Sequence, residues 1–134
     1  MPNEHGITGN WKGHYTYQTR PDEGSNFDAI FVEHEGSLKG EIRDEGILGH
    51  AVLEGSFAYP SVSFIKTYYE LALEPISYQG TMSGDGKTIT GKWTIIGKDG
   101  PGIKGSWMAH RIDQYEPKKQ KFTQRAKQDL ENVR

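Results

Sequence analysis

Residues 88–112 read TITGKWTIIGKDGPGIKGSWMAHRI and contain two runs in which apolar residues and glycines occupy alternate positions. Between the runs lies KDGPG, residues 98–102, which is rich in the residue types that tight turns require. Alternation with a period of two is typical of a β-strand with one buried face. Because a link this short can join only antiparallel neighbours, the segment predicts a β-hairpin.

The same pattern extends through the chain from Gly9 to Ile112. Alternating runs of five to ten residues are separated by turn sequences such as PDEG at residues 21–24 and SGDG at residues 83–86. The acidic residues near these breaks are interpreted as solvated turn residues, namely Glu33, Glu35, Asp44 and Glu45. The predicted strands are residues 10–19, 26–34, 37–43, 51–59, 61–70, 75–83, 88–96 and 103–112.

An all-β fold of about eight antiparallel strands follows, and closing the sheet removes its exposed edges. We therefore predict an up-and-down barrel, with a two-sheet sandwich as the alternative. Strand four leaves its inward face undecided. The residues expected to face inward on the other strands are Trp11, Gly13, Tyr15, Tyr17; Phe27, Ala29, Phe31; Leu38, Gly40, Ile42; Val62, Phe64, Lys66, Tyr68; Ile76, Tyr78, Met82; Ile89, Gly91, Trp93, Ile95; and Ile103, Gly105, Trp107, Ala109, Arg111.

Composition limits the classes of function. The chain has 134 residues, which fits one domain, and a formal net charge of -2, which argues against sequence-independent binding to nucleic acid or an anionic membrane. The absence of cysteine excludes disulfides and thiol nucleophiles. The start, MPNEH, lacks the basic and apolar segments of a signal peptide, and no apolar run reaches the ~20 residues of a membrane span. We expect a cytoplasmic protein.

The last segment differs from the rest because it loses all glycine after Glu116-Pro117. Its apolar residues recur at helical spacing, which predicts a C-terminal helix with one apolar stripe: Phe122, Ala126, Leu130 and Val133. This helix either packs on the barrel or docks onto a partner, including a second copy in a homodimer. The chain is thus divided into an N-terminal tail (1–8), a barrel (9–112) and a C-terminal helical extension (113–134).

The predicted interior favours a bound molecule. Glycines among the inward residues leave room, and a barrel of about eight strands is wide enough to hold one small ligand. Lys66 is expected to lie among apolar neighbours inside the barrel; the alternatives are that its strand is rotated or that its amine reaches the barrel rim. The aromatic residues are explained equally well as ordinary hydrophobic core. The candidate ligand-binding residues are Tyr15, Tyr17, Phe31, Phe64, Lys66, Tyr68, Tyr78, Trp93 and Trp107.

The start of the first predicted strand and the end of the last one resemble a known family. Gly9-Asn10-Trp11 opens the first strand and Arg111 closes the last. In this respect the chain resembles the calycin superfamily of lipocalins, fatty-acid-binding proteins and avidins. The resemblance covers roughly residues 8–112 and implies a barrel in which Arg111 packs over Trp11 and closes one end. It also implies binding of small molecules.

The chain departs from each named branch of that superfamily. Lipocalins usually have a longer chain and a second motif of the Thr-Asp-Tyr type, which this sequence lacks. Lys12-Gly13-His14-Tyr15 follows the first tryptophan where avidins place biotin-binding Asn and Ser. The short link at residues 21–25 leaves no room for the helix pair of fatty-acid-binding proteins, and Arg111-Ile112-Asp113 lacks their carboxylate clamp. The resemblance therefore names no ligand.

Two functions remain open. The first is a carrier or sensor that holds a small hydrophobic or aromatic molecule. The second is a small enzyme of the cyclase or isomerase type acting on a hydrophobic substrate in the same cavity. Lys66, Tyr68 or Tyr78 would supply an acid or base, and Lys66 and Tyr78 are the catalytic candidates.

The histidines have no metal-ligand spacing, and no nucleophile elbow, phosphate loop or dinucleotide motif occurs. Neither metal nor cofactor is expected.

Overall fold

The computed structural model describes residues 6–45, 49–69, 73–97 and 100–112. All eight predicted strands are present. Their bounds are β1 Gly9–Tyr17, β2 Gly24–His34, β3 Ser37–Asp44, β4 His50–Ala58, β5 Ser61–Tyr68, β6 Ile76–Met82, β7 Thr88–Gly97 and β8 Gly100–Arg111.

The eight strands form a closed antiparallel up-and-down barrel. Each strand pairs with the next in sequence, and β8 returns to pair with β1, with Trp11 opposite Arg111 and Tyr15 opposite Trp107. The barrel prediction is confirmed, and the sandwich alternative is wrong. The predicted C-terminal helix lies outside the described residues. In the part of the chain that is described, no helix is long and apolar enough to span a membrane.

Short turns set the register between neighbouring strands. The link between β2 and β3 is the two-residue turn Glu35-Gly36, in which both residues take positive φ, 50° and 87°. A turn of this kind matches the right-handed twist of the strands that it joins. The interpretation of Glu35 as a turn residue is confirmed.

The alternating residues point inward as predicted on most strands. β5 shows the pattern most regularly, since Val62, Phe64, Lys66 and Tyr68 are buried while the residues between them are exposed. On β4, whose inward face was left undecided by the sequence pattern, the inward residues include Ala51, Leu53 and Phe57.

Ile103 is an exception, because it was expected to face inward and is 52% exposed. The pairing of β7 with β8 shifts between Thr94, which is opposite Lys104, and Ile96, which is opposite Pro101. One extra residue on β8 therefore interrupts the alternation. The GPG sequence at residues 100–102 belongs to β8 and not to the preceding turn.

The inward glycines make room for aromatic side chains. Gly91 lies opposite Trp107 and Gly105 lies opposite Trp93 in the same strand pair. A β-carbon on Gly91 would come 2.7 Å from the Trp107 ring nitrogen, and one on Gly105 would come 2.7 Å from a Trp93 ring carbon. The space beside these two glycines, which was expected to accommodate a ligand, is filled by indole rings.

Arg111 and Trp11 lie at one end of the barrel, which we call the closed end. The Arg111 guanidinium carbon lies 4.6 Å from the Trp11 ring centroid. Arg111 also donates to the backbone carbonyls of Gly6, Thr8 and Gly86, so it ties the chain before β1 to the β6–β7 link. Ile7, in the segment expected to be a tail, is fully buried and its carbonyl accepts from the Trp11 indole N–H.

Candidate functional site

A cavity of about 290 Å³ lies at the end of the barrel opposite the closed end. It is partly open, and its volume is near the lower limit of ligand pockets, which hold about 300 to 1,000 Å³. One small molecule would fill it. Its lining is mostly aromatic or aliphatic and consists of Tyr15, Tyr17, Lys66, Tyr68, Leu73, Glu74, Ile76, Tyr78, Trp93 and Ile95.

Six of the nine predicted ligand-binding residues line this cavity, and three do not. Phe31, Phe64 and Trp107 pack together beneath it. The Phe64 ring stacks on the Tyr78 ring at 4.9 Å between centroids, Phe31 lies 5.7 Å from Phe64, and Trp107 meets Phe64 edge-on at 5.9 Å. Aromatic core thus fills the space beneath the cavity, and Tyr78 forms part of the cavity floor.

A buried ion pair lies in this floor. Lys66 Nζ is 2.9 Å from Asp44 Oδ1 and 3.1 Å from Asp44 Oδ2, and both side chains are almost completely inaccessible. Lys66 also donates to the Tyr78 hydroxyl oxygen at 3.4 Å, and the Tyr68 hydroxyl donates to Asp44 Oδ2. The suggestions that β5 is rotated, or that Lys66 reaches the rim, are both wrong.

Asp44 corrects a second expectation. It was interpreted as a solvated turn residue, but it is only 3% exposed. The reason is that β3 extends one residue beyond its predicted end, so Asp44 continues the inward series of Leu38, Gly40 and Ile42. The inward position of Asp44 could therefore have been predicted by extending the period of two. An inward lysine on β5 also indicated that a buried acidic partner was needed.

Three tyrosine rings surround the lysine charge. Lys66 Nζ lies 5.4 Å from the Tyr15 ring centroid, 4.9 Å from that of Tyr68 and 5.5 Å from that of Tyr78. Burial lowers the pKa of Lys66, and the charge and hydrogen bonds of Asp44 oppose that shift. The carboxylate and the ring faces therefore offset part of the loss of hydration, and Lys66 and Asp44 face each other as a neutral ion pair.

Three tyrosines of the cavity, Tyr15, Tyr68 and Tyr78, are held as neutral phenols. Burial, followed by the charge of Asp44, raises the pKa of Tyr15 to about 12. Burial also raises the pKa of Tyr68, with the hydrogen bond to Asp44 adding to it, and it raises that of Tyr78, with the Asp44 charge as the next cause. At neutral pH these three groups keep their O–H hydrogens and can act as hydrogen-bond donors.

The aromatic wall of the cavity is built from edge-to-face contacts. The Trp93 ring meets Tyr17 at 5.3 Å and Tyr15 at 6.0 Å between centroids, with interplanar angles of 88° and 77°. The Trp93 indole N–H is shared between the carbonyls of Thr16 and Ser106. Because this polar atom is already paired with backbone, Trp93 offers the cavity an apolar surface held in a fixed orientation.

Among the described residues, no group of three or more His, Asp or Glu is arranged to hold a metal ion. His14 Nδ1 is hydrogen-bonded to Asn26 Oδ1 at 2.7 Å, and His50 Nε2 lies 3.0 Å from Arg43 Nε. Both contacts lie on the outside of the barrel.

No family model matches the chain, and no curated protein sequence matches it.

Proposed function

We propose that this protein binds a small hydrophobic or aromatic molecule inside its barrel, as a carrier or sensor. The observation that supports this most strongly is the cavity itself. Tyr15, Tyr17, Tyr68, Tyr78 and Trp93 contribute to one partly open space. An apolar wall with a few fixed polar groups is the usual composition of a small-molecule site.

The size of the cavity is compatible with a useful affinity. Removing ~300 Å² of apolar surface from water at ~25 cal/mol per Å² contributes ~7.5 kcal/mol. A Kd of 1 μM corresponds to about 8.2 kcal/mol, and association also has an entropic cost. Burial alone therefore gives binding weaker than micromolar, and specific polar contacts would bring it into the micromolar range.

The closed end supports membership of the calycin superfamily as part of the same proposal. The Trp11 indole lies beneath the Arg111 guanidinium, as the resemblance implied. The closed end is remote from the cavity, so it acts on the stability of the barrel and leaves the cavity end accessible.

A small barrel enzyme of the cyclase or isomerase type is the second candidate. The observation in its favour is that Lys66, Asp44, Tyr68 and Tyr78 form one hydrogen-bonded network that includes three lining residues. Binding remains the preferred function because the Lys66 amine donates hydrogen bonds to the Asp44 carboxylate and the Tyr78 hydroxyl. An ammonium in this state has no lone pair with which to attack a substrate.

Matched isoleucine variants test the proposal. Ile95 lines the cavity, whereas Ile103 lies on the outer face of the barrel. We expect the uncharged fluorescent probe N-phenylnaphthylamine to bind the wild-type chain and Ile103→Phe equally, and to bind Ile95→Phe at least tenfold more weakly. Equal affinity for both variants, or no binding to the wild-type chain, would contradict the proposal.

A further inference from the structure

One hydroxyl in the cavity floor has an unused hydrogen. The Tyr78 oxygen accepts a hydrogen bond from Lys66 Nζ at 3.4 Å. In the part of the chain that the structure describes, the Tyr78 O–H itself donates to no acceptor. Tyr68 differs because it donates to Asp44, and Tyr15 differs because it is less completely buried, with 7% exposure.

Tyr78 is nevertheless among the most buried side chains, with 2% exposure, and it lines the cavity. A buried donor without an acceptor is rare in folded proteins, and leaving it unpaired is costly. Its ring is held in place by the stack on Phe64 and by edge contact with Trp107 at 5.4 Å. The hydroxyl therefore occupies a fixed position, and an acceptor brought by a bound molecule would complete its hydrogen bonding.

The charges around the cavity act against an ionised ligand. Lys66 is the cation among the described lining residues, and Asp44 neutralises it at 2.9 Å. A carboxylate in the cavity would therefore meet no uncompensated cation, and it would lie near Asp44 and the exposed Glu74. A ligand cation would lie near the Lys66 ammonium. At the cavity floor either ion would lose hydration without gaining a partner there, because the Glu74 carboxylate is exposed to solvent.

We propose that the cavity selects an uncharged aromatic molecule that carries a carbonyl or similar oxygen, and that this oxygen accepts a hydrogen bond from Tyr78. The inference rests on the proposed binding function and specifies its ligand class. The ring of the ligand packs against Tyr15, Tyr17 and Trp93, whose contacts already form an apolar wall. The oxygen end points to the floor.

Three naphthalenes substituted at the same ring position separate the contributions of apolar surface, acceptor and charge. They are ethylnaphthalene, acetylnaphthalene and naphthoate, and their affinities are measured by calorimetry with the full-length chain. We expect acetylnaphthalene to bind about tenfold more tightly than ethylnaphthalene, which corresponds to about 1.4 kcal/mol. Naphthoate should bind most weakly of the three.

A tyrosine variant assigns the preference to one hydroxyl. Tyr78→Phe should reduce the preference for the ketone over the hydrocarbon to less than twofold while ethylnaphthalene still binds. Tyr69→Phe alters an exposed tyrosine outside the cavity and should keep the tenfold preference. Circular dichroism checks that both variants fold; if Tyr78→Phe does not, the comparison of the three probes on the wild-type chain still tests the inference.

The outcomes distinguish this inference from the function on which it rests. Equal binding of ketone and hydrocarbon to the wild-type chain would overturn the role of Tyr78 and leave the binding function intact. Retention of the preference in Tyr78→Phe, or tightest binding of naphthoate, would do the same. Failure of all three probes to bind would overturn both proposals.

Discussion

Lys66 Nζ and the Asp44 carboxylate lie 2.9 Å apart inside the barrel, where neither side chain is more than 1% exposed. The two residues are separated by 22 positions in sequence and come from β5 and the end of β3. Burying one of these charges without the other would cost several kcal/mol. The pair therefore connects the end of β3 to β5 and keeps the cavity floor electrically neutral.

Removing one member of this pair should be strongly destabilising. We expect Lys66→Met to lower the free energy of unfolding by about 3–5 kcal/mol, because Asp44 is then left buried and unpaired. Urea unfolding measures the change. The matched control is Lys12→Met, which breaks the exposed Lys12–Asp28 pair at 2.8 Å and should cost less than about 1 kcal/mol. Similar losses in the two variants would contradict the assignment.

Removing both charges should restore part of the stability. The double variant Lys66→Met with Asp44→Leu leaves no uncompensated charge, although the Tyr68 hydroxyl loses its acceptor. We expect its destabilisation to be at least ~2 kcal/mol smaller than the sum of the two single changes. Additive losses would show that the two side chains do not act as a pair.

Alkaline pH should destabilise the fold through the cavity tyrosines. The pKa of Tyr15 is raised to about 12 from its ordinary 10.0, so the unfolded chain releases this proton first as the pH rises. Between about pH 10 and 12 the folded state binds more protons, and its stability therefore falls with increasing pH, whereas below about pH 9 the group contributes no slope. Each such tyrosine contributes up to about 1.4 kcal/mol per pH unit to this decline.

Urea unfolding from pH 8 to 11 measures the effect. The free energy of unfolding should fall less steeply with pH in Tyr15→Phe than in the wild-type chain, and equal slopes would contradict this prediction.

The closed end depends on the shape of the arginine head group. Arg111 donates through Nε, Nη1 and Nη2 to three different backbone carbonyls while its guanidinium covers Trp11. Lysine has the charge but not the planar fork, so Arg111→Lys should cost about 2 kcal/mol. Arg43→Lys, at an exposed arginine, is the control and should change stability by less than about 0.5 kcal/mol. Probe affinity should remain unchanged in Arg111→Lys, because the cavity lies at the other end.

Glycine positions opposite tryptophans should not tolerate a methyl group. A β-carbon on Gly91 would lie 1.8 Å from the Gln79 carbonyl oxygen, whereas one on Gly84 would meet nothing within 4 Å. We expect Gly91→Ala to destabilise the barrel by about 3 kcal/mol or more through backbone displacement, and Gly84→Ala to be nearly neutral. Thermal unfolding compares the two variants, and equal melting temperatures would count against the packing described for Trp107.

Much of the barrel was predictable because its period of two is nearly uninterrupted, and the same period identified Lys66, Tyr15 and Trp93 as inward residues. Ile103 was misplaced because the extra residue on β8 leaves no clear mark in the sequence. Asp44 was missed because an acidic residue two positions before a glycine resembles a turn residue.

The division of the barrel interior into packed core and cavity could not be predicted from the sequence either. Gly91 and Gly105 are inward, but only the paired register shows that the tryptophans opposite fill the space beside them. The position of the cavity depends on the sizes of the inward side chains at each height of the barrel. These side chains come from all eight strands, so no single strand's sequence reveals it.

We expect a small aromatic molecule to enter the barrel at the end lined by Trp93 and not at the end closed by Trp11. The chain has 3 tryptophans, so their indole N–H signals can be followed individually by nitrogen-edited nuclear magnetic resonance during a titration with acetylnaphthalene. The account predicts a saturable shift of the Trp93 signal and an unchanged Trp11 signal. No shift at Trp93, or an equal shift at Trp11, would contradict it.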